Sequence, residues 1–144
     1  MKRNWLILLF FIGVIHMLFA QDIEMITEWE KAKQIATLEN KNILIILTGS
    51  SWCAPCKKMD HKVLPSKEFQ KYVSKNLVIF LIDLPGGGIF VNNNVYIKYH
   101  EFKETYNAQG LPSLIITDKD GQLIKLLTGK VYNLKNVMQQ LESL

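Results

Sequence analysis

Ser51-Trp52-Cys53-Ala54-Pro55-Cys56-Lys57-Lys58-Met59 is the stretch whose reading decides the fold, and it holds both cysteines of the chain. Just before it, residues 43–47 read Ile-Leu-Ile-Ile-Leu, a wholly apolar run of the kind found in a central strand covered on both faces. Just after it comes a Lys-rich, helix-permissive run. The two thiols therefore sit where a buried strand turns into a helix. Two cysteines separated by two residues can close a small disulfide ring when the first opens a helix. The free amides and the positive end of the helix dipole then stabilise a thiolate on the first sulfur. That is the arrangement thiol–disulfide exchange needs: one thiolate attacks a disulfide, and a neighbouring thiol resolves the mixed disulfide.

The rest of the chain sets the context for that pair. With 144 residues it suits one domain with a real core. Lys2 and Arg3 precede an uncharged run from Trp5 to Ala20 rich in Leu, Ile and Phe. This reads as a signal peptide over residues 1–20, cut before Gln21, with residues 21–144 as the mature domain. Leu18, three residues before the cut, is larger than usual. The alternative is an uncleaved membrane anchor, although the run is slightly short for a full span. Removing it takes the formal net charge from +4 to about +2 and leaves lysines spread along the chain, with no basic block and no nucleic-acid-binding motif. No nucleic acid is expected as a partner, and a membrane only if residues 1–20 stay attached. Export implies a periplasmic or other extracytoplasmic setting in which disulfides persist. One cysteine pair at this spacing points to redox chemistry. Zinc would need four ligands, and His61 and His100 are the only histidines left.

Along the chain, residues 21–26 read as a short edge strand. Thr27 and Glu30 fit a capping box for a helix to Glu39 that uses Trp29, Ala32, Ile35, Ala36 and Leu38. Asn40-Lys41-Asn42 breaks it. The redox helix is expected over residues 53–63, ended by Pro65, with Ser66 capping a second helix over 67–75. Residues 77–82 form the next buried strand. The Pro85-Gly86-Gly87-Gly88 and Asn92-Asn93-Asn94 runs mark a turning region. Residues 95–106 read as a helix or, in their first part, a strand. Residues 114–117 and 122–127 flank the turn Asp118-Lys119-Asp120-Gly121 as a β-hairpin, and Asn133 caps a last helix. The expected fold class is α/β: a parallel βαβ unit followed by an antiparallel hairpin in one central mixed sheet flanked by helices. The right-handed crossover puts the redox helix at the carboxyl end of strand 43–47.

These residues carry a family resemblance. Trp52-Cys53-Ala54-Pro55-Cys56-Lys57 closely resembles the thioredoxin signature Trp-Cys-Gly-Pro-Cys-Lys. Tyr106-Asn107-Ala108-Gln109-Gly110-Leu111-Pro112-Ser113 resembles the thioredoxin run Tyr-x-x-x-Gly-Ile-Pro-Thr, whose proline is cis. The hairpin turn at 118–121 and Gly129 fit as well, and the likeness covers roughly residues 22–144. The chain thus resembles the secreted or periplasmic bacterial members of the thioredoxin superfamily, with an insertion before the cis-proline loop.

The resemblance implies that Cys53 is the nucleophile and Cys56 the resolving thiol, that Pro55 holds the redox turn, and that Trp52 shapes a docking face. It also implies that Pro112 is cis against Cys53, with the backbone of Leu111 pairing to the substrate chain. The implied activity is a thiol–disulfide oxidoreductase, a reductase or isomerase of protein disulfides outside the cytoplasm. It needs no cofactor beyond the Cys53–Cys56 disulfide, and a membrane thiol carrier would donate its electrons. The other readings are a disulfide-donating oxidant, or a binding or chaperone module whose disulfide is structural. The chain also departs from the family. Leu47 stands where common thioredoxins have a buried Asp, and Ile79 where a Lys often partners it. Asp60, four residues after Cys56 and seven after Cys53, is the candidate replacement acid/base, against a surface residue paired to Lys57 or Lys58. His61 points away. In the insertion, Ile89, Phe90, Tyr96 and Tyr99 are candidates for a partner surface or lid, against a solvated loop.

Overall fold

The computed structural model describes residues 23–86 and 93–144. The signal-peptide reading of residues 1–20, and the roles suggested for Ile89 and Phe90, lie outside the described residues. The strands are β1 (Met25–Ile26), β2 (Asn42–Thr48), β3 (Leu77–Asp83), β4 (Ser113–Thr117) and β5 (Leu123–Leu126). The helices are α1 (Trp29–Glu39), α2 (Ala54–Lys62), α3 (Lys67–Asn76), α4 (Asn94–Thr105) and α5 (Leu134–Leu141). The sheet order is β1-β3-β2-β4-β5. β2 runs parallel to β3, from Asn42 opposite Leu77 to Thr48 opposite Asp83, and antiparallel to β4, from Ile43 opposite Thr117 to Leu47 opposite Ser113. This is the expected mixed sheet with helices on both faces.

The apolar run explains why β2 is central: Ile43, Leu44, Ile45, Ile46 and Leu47 are all fully buried. Each such side chain contributes about 1.5–3 kcal/mol of burial, and a strand of this composition is satisfied only between two layers. Alternation sends its side chains to opposite faces. Leu44 and Ile46 meet Met59, Val63, Phe69, Val73, Val137 and Leu141, so α2, α3 and α5 cover one face. Ile43, Ile45 and Leu47 meet Ala32, Ala36, Tyr99, Phe102 and Tyr106, so α1 and α4 cover the other.

Local chemistry sets most helix ends. Ser66 Oγ accepts from Phe69 N–H at the start of α3, and Asn133 Oδ1 accepts from Asn136 N–H at the start of α5. Asn40 closes α1 in the left-handed region at φ 50°, a conformation Asn tolerates better than most residues. Three expectations are corrected here. The N-cap of α1 is Glu28 rather than Thr27, and no side chain caps it, so the Thr27/Glu30 capping box does not form. Trp29 instead packs at 5.0 Å from Phe80 and 5.1 Å from Phe102, and this tertiary contact fixes where the helix begins. Leu38 does not face the core but is 84% exposed. Tyr99 belongs to the core of the α1/α4 face rather than to a partner surface; Tyr96, half-buried, packs at a tilt against His100, with ring centroids 4.3 Å apart.

Candidate active site

The redox turn is built from the end of β2. Trp52 N–H and Cys53 N–H both donate to the Gly49 carbonyl, at 3.1 and 2.8 Å, curling residues 49–53 into a compact turn. Cys53 is the N-cap of α2, and its Sγ accepts from Cys56 N–H at 3.3 Å. Pro55 lies in the first turn, where its missing N–H costs no helical hydrogen bond. The first sulfur therefore sits on the amide-bearing end of a helix, where a thiolate is favoured electrostatically. Cys53 and Cys56 form a disulfide with Cα atoms 5.2 Å apart. The two sulfurs are not equivalent: Cys53 is 7% exposed and Cys56 is fully buried. Exposed Trp52, Ala54 and Pro55 surround the reachable one.

Trp52 is held rather than free. Its Nε1–H donates to the Leu84 carbonyl at 2.8 Å, while half of its surface stays open. The indole lies directly on two glycines: a Cβ at Gly49 would come within 2.7 Å of the ring, and one at Gly86 within 2.9 Å. Both residues are glycine because a larger one would displace the ring. Leu84 N–H in turn donates to the Thr48 carbonyl at 2.8 Å. Ser50 donates its N–H to Asp83 Oδ1 at 2.8 Å and its hydroxyl to Asp83 Oδ2. Sequence reasoning found Trp52 but missed Gly49, Ser50, Asp83 and Gly86. The contacts of Asp83 with Ser50 and of Gly86 with Trp52 join residues more than thirty positions apart, and no local pattern announces them; Gly49 lies only three residues before Trp52, but nothing in the sequence says that the indole folds back over it.

The Leu111–Pro112 peptide is cis. Both residues are half-buried at the head of β4, and the Ser113 hydroxyl donates back to the Gly110 carbonyl. Because Ser113 pairs with Leu47, Pro112 comes level with the end of β2, from which the redox turn springs.

Leu47 and Ile79 are buried apolar residues, so neither strand supplies an acid or a base there. Leu47 faces the α1/α4 side. Asp60 comes from α2 on the opposite side and lines a surface groove of about 420 Å³ with Thr48, Ser50, Leu81 and Asp83. Burial raises the Asp60 carboxyl above its ordinary range, the charge of Asp83 adds to this, and His61 opposes it. Among the described residues the ion pairs involve neither Asp60 nor Lys57 nor Lys58. His61 is exposed.

Comparisons with known proteins agree with this architecture. The chain is 30% identical over 98 residues to the disulfide bond reductase DsbH of Chlamydia pneumoniae, covering 66% of this chain and 58% of that protein. It is 25% identical over 118 residues to the thiol-disulfide oxidoreductase ResA of Bacillus cereus, covering 73% of this chain and 65% of the relative. The chain thus spans roughly three-fifths of the length of these curated relatives. The solved structure of a DsbH oxidoreductase superposes with a TM-score of 0.67 at 25% identity, over 85% of this chain and 87% of that one. The family model of the thioredoxin-like domain matches residues 29–144, from the first residue of α1 to the end of the chain, and the protein belongs to that family.

Proposed function

We propose that the protein is a thiol–disulfide oxidoreductase that reduces or isomerises protein disulfides outside the cytoplasm. The observation that carries this reading is the asymmetry of the Cys53–Cys56 bridge, in which Cys53, on a helix N-terminus, keeps a small opening to solvent and Cys56 has none. In the reduced protein the Cys53 thiolate attacks a substrate disulfide. One substrate sulfur leaves as thiolate and a mixed disulfide forms. Cys56 then attacks Cys53 Sγ, releasing the second substrate thiolate and restoring the bridge, so two electrons pass to the substrate. Recharging runs in reverse: a donor thiolate attacks Cys53, the accessible sulfur, and Cys56 departs. Before it attacks, Cys56 must lose a proton. Asp60 is the group we assign to accept it, in place of the acid absent at Leu47.

The exposed face of Trp52 and the backbone of Leu111, next to Pro112, would receive the substrate segment as an added strand. The reducing direction is supported by the Ala54-Pro55 dipeptide, close to the Gly-Pro of reducing members of the family, and by the names of the relatives. Lys2, Arg3 and the apolar run that follows support export. Among the described residues no helix is long and apolar enough to cross a membrane. Electrons would then come from a membrane thiol carrier.

The test is a Cys56→Ser variant mixed with oxidised insulin. A mixed disulfide trapped on Cys53 is the expected result; none would overturn the reading. Equilibration against glutathione then sets direction. A potential near the roughly −270 mV of thioredoxin marks a reductant, and one near the roughly −120 mV of strong oxidants a disulfide donor.

A further inference from the structure

We propose that Asp83 is a positioning residue for the redox turn: it holds the turn through Ser50 and couples it to the carboxylate of Asp60 across the groove. The inference rests on the exchange reaction proposed above and adds a residue to it. Asp83 ends β3 opposite Thr48, the last residue of β2. Leu47 and Ile82, one step back, pack on the α1/α4 face, so alternation turns Thr48 and Asp83 toward α2. There both carboxylate oxygens of Asp83 are taken by one residue, Ser50, through its N–H and its hydroxyl. Ser50 lies three residues before Cys53. The next residue along, Leu84, binds Thr48 through its N–H and Trp52 through its carbonyl. Four hydrogen bonds thus fasten residues 48–52 to residues 83–84, and Asp83 supplies the two that have an ionised acceptor, the stronger kind.

The second half of the inference is electrostatic. Asp60 and Asp83 line one groove. Its other walls, Met25 on β1, Leu64 and Pro65 after α2, Gln70 on α3 and Leu81 on β3, carry no charge. Asp83 is therefore the charged group facing Asp60 from the sheet, and His61, on α2 itself, opposes it. A like charge across a partly desolvated gap favours the protonated form of its neighbour. The residue that anchors the turn thus also sets the pH at which Asp60 can accept the proton of Cys56.

Two substitutions separate these roles. Ser50→Ala removes the hydroxyl contact but keeps the charge, while Asp83→Asn removes the charge but keeps an acceptor for the Ser50 N–H. Insulin reduction should be followed from acid to neutral pH in the wild type, both variants and Cys53→Ser. Ser50→Ala should slow exchange by about threefold or more at every pH, with the acid limb unmoved, since a small misplacement of reacting groups lowers rate directly. Asp83→Asn should slow it similarly and move the acid limb to lower pH by about half a unit. An Asp83→Asn profile with the wild-type limb, or wild-type rates in both variants, overturns the inference. Should Asp83→Asn not fold, Asp83→Glu keeps the charge and displaces the acceptors. It should then behave as Ser50→Ala does, and a wild-type rate would overturn the positioning role. A wild type no faster than Cys53→Ser is a different failure, that of the exchange reading itself.

Discussion

The two faces of the sheet are built differently. On the α1/α4 face, Trp29, Phe80 and Phe102 meet pairwise at 5.0–5.1 Å, and Tyr106 donates its hydroxyl to the Gly121 carbonyl, beyond the edge of the cluster. Large rings fill that layer, and the Tyr106 hydroxyl finds its partner at the periphery. The α2 face is aliphatic through its middle, where Met59, Val63, Leu44 and Ile46 pack. It turns polar at one end, with Thr48, Ser50, Asp60 and Asp83 around the groove. The Thr48 hydroxyl there is buried without a hydrogen-bond partner among the described residues. One face concentrates packing, while the other gives up some packing at one end and gathers titratable and hydrogen-bonding groups where the redox turn leaves β2. Stability and chemistry should therefore separate by face.

That separation can be broken by substitution. Cys53→Ser should abolish insulin reduction yet unfold in urea at the same midpoint as the reduced wild type; a large loss of stability would show that the face of the site also carries the fold. Phe80→Ala, on the other face, should cost about 3–5 kcal/mol in urea unfolding while leaving the Cys53–Cys56 potential where it was. Gly49→Ala should cost about 1–3 kcal/mol. It should also shift the Trp52 emission, because the new Cβ meets the indole at 2.7 Å; unchanged emission would mean the ring has room to yield.

The smallest effect is expected at Asp60. Its carboxyl binds its proton more tightly in the folded chain than in the unfolded one. The native state therefore holds more protons just above the unfolded value, and stability falls as pH rises through that window. Asp60→Asn removes this penalty. It should unfold at a slightly higher urea concentration than the wild type at neutral pH and at an equal one in strong acid. The same variant should flatten the acid limb of exchange. A gain in stability with an unaltered limb would leave Asp60 as a strained groove residue without a part in proton transfer.

The order of elements was legible in the sequence because it follows from local signals: the apolar run of β2, the caps at Ser66 and Asn133, and the turn at residues 118–121. The cysteine pair and Pro112 were legible through their motifs. Thr27 misled because a capping box is worth about a kilocalorie, and the docking of Trp29 onto Phe80 and Phe102 outweighs it. The periodicity of α1 put Leu38 on the core side, but, with Trp29 and Ile35 partly buried beside them, the fully buried residues of the helix are Ala32 and Ala36. Such small residues let the helix lie close to the sheet over a narrow stripe. Tyr99 was drawn toward the surface by the insertion around it, although its spacing from Phe102 and Tyr106 already placed it inward. The fastening of the redox turn by Asp83, and the place of Gly86 beneath Trp52, arise only once β2 and β3 lie side by side.

The central place of β2 also has a kinetic consequence. Its parallel partner begins at Leu77 and its antiparallel partner ends at Thr117, so both of its ladders close large loops. Chains dominated by such distant pairings fold slowly. Until β4 has been synthesised, the segment Ile-Leu-Ile-Ile-Leu stays open along one side, a run of high strand propensity with no charge of its own. A newly made chain is therefore exposed to aggregation through the very strand that will carry its redox turn, and a factor that shields residues 43–47 until the C-terminal hairpin emerges should raise the folded yield more than one acting anywhere else.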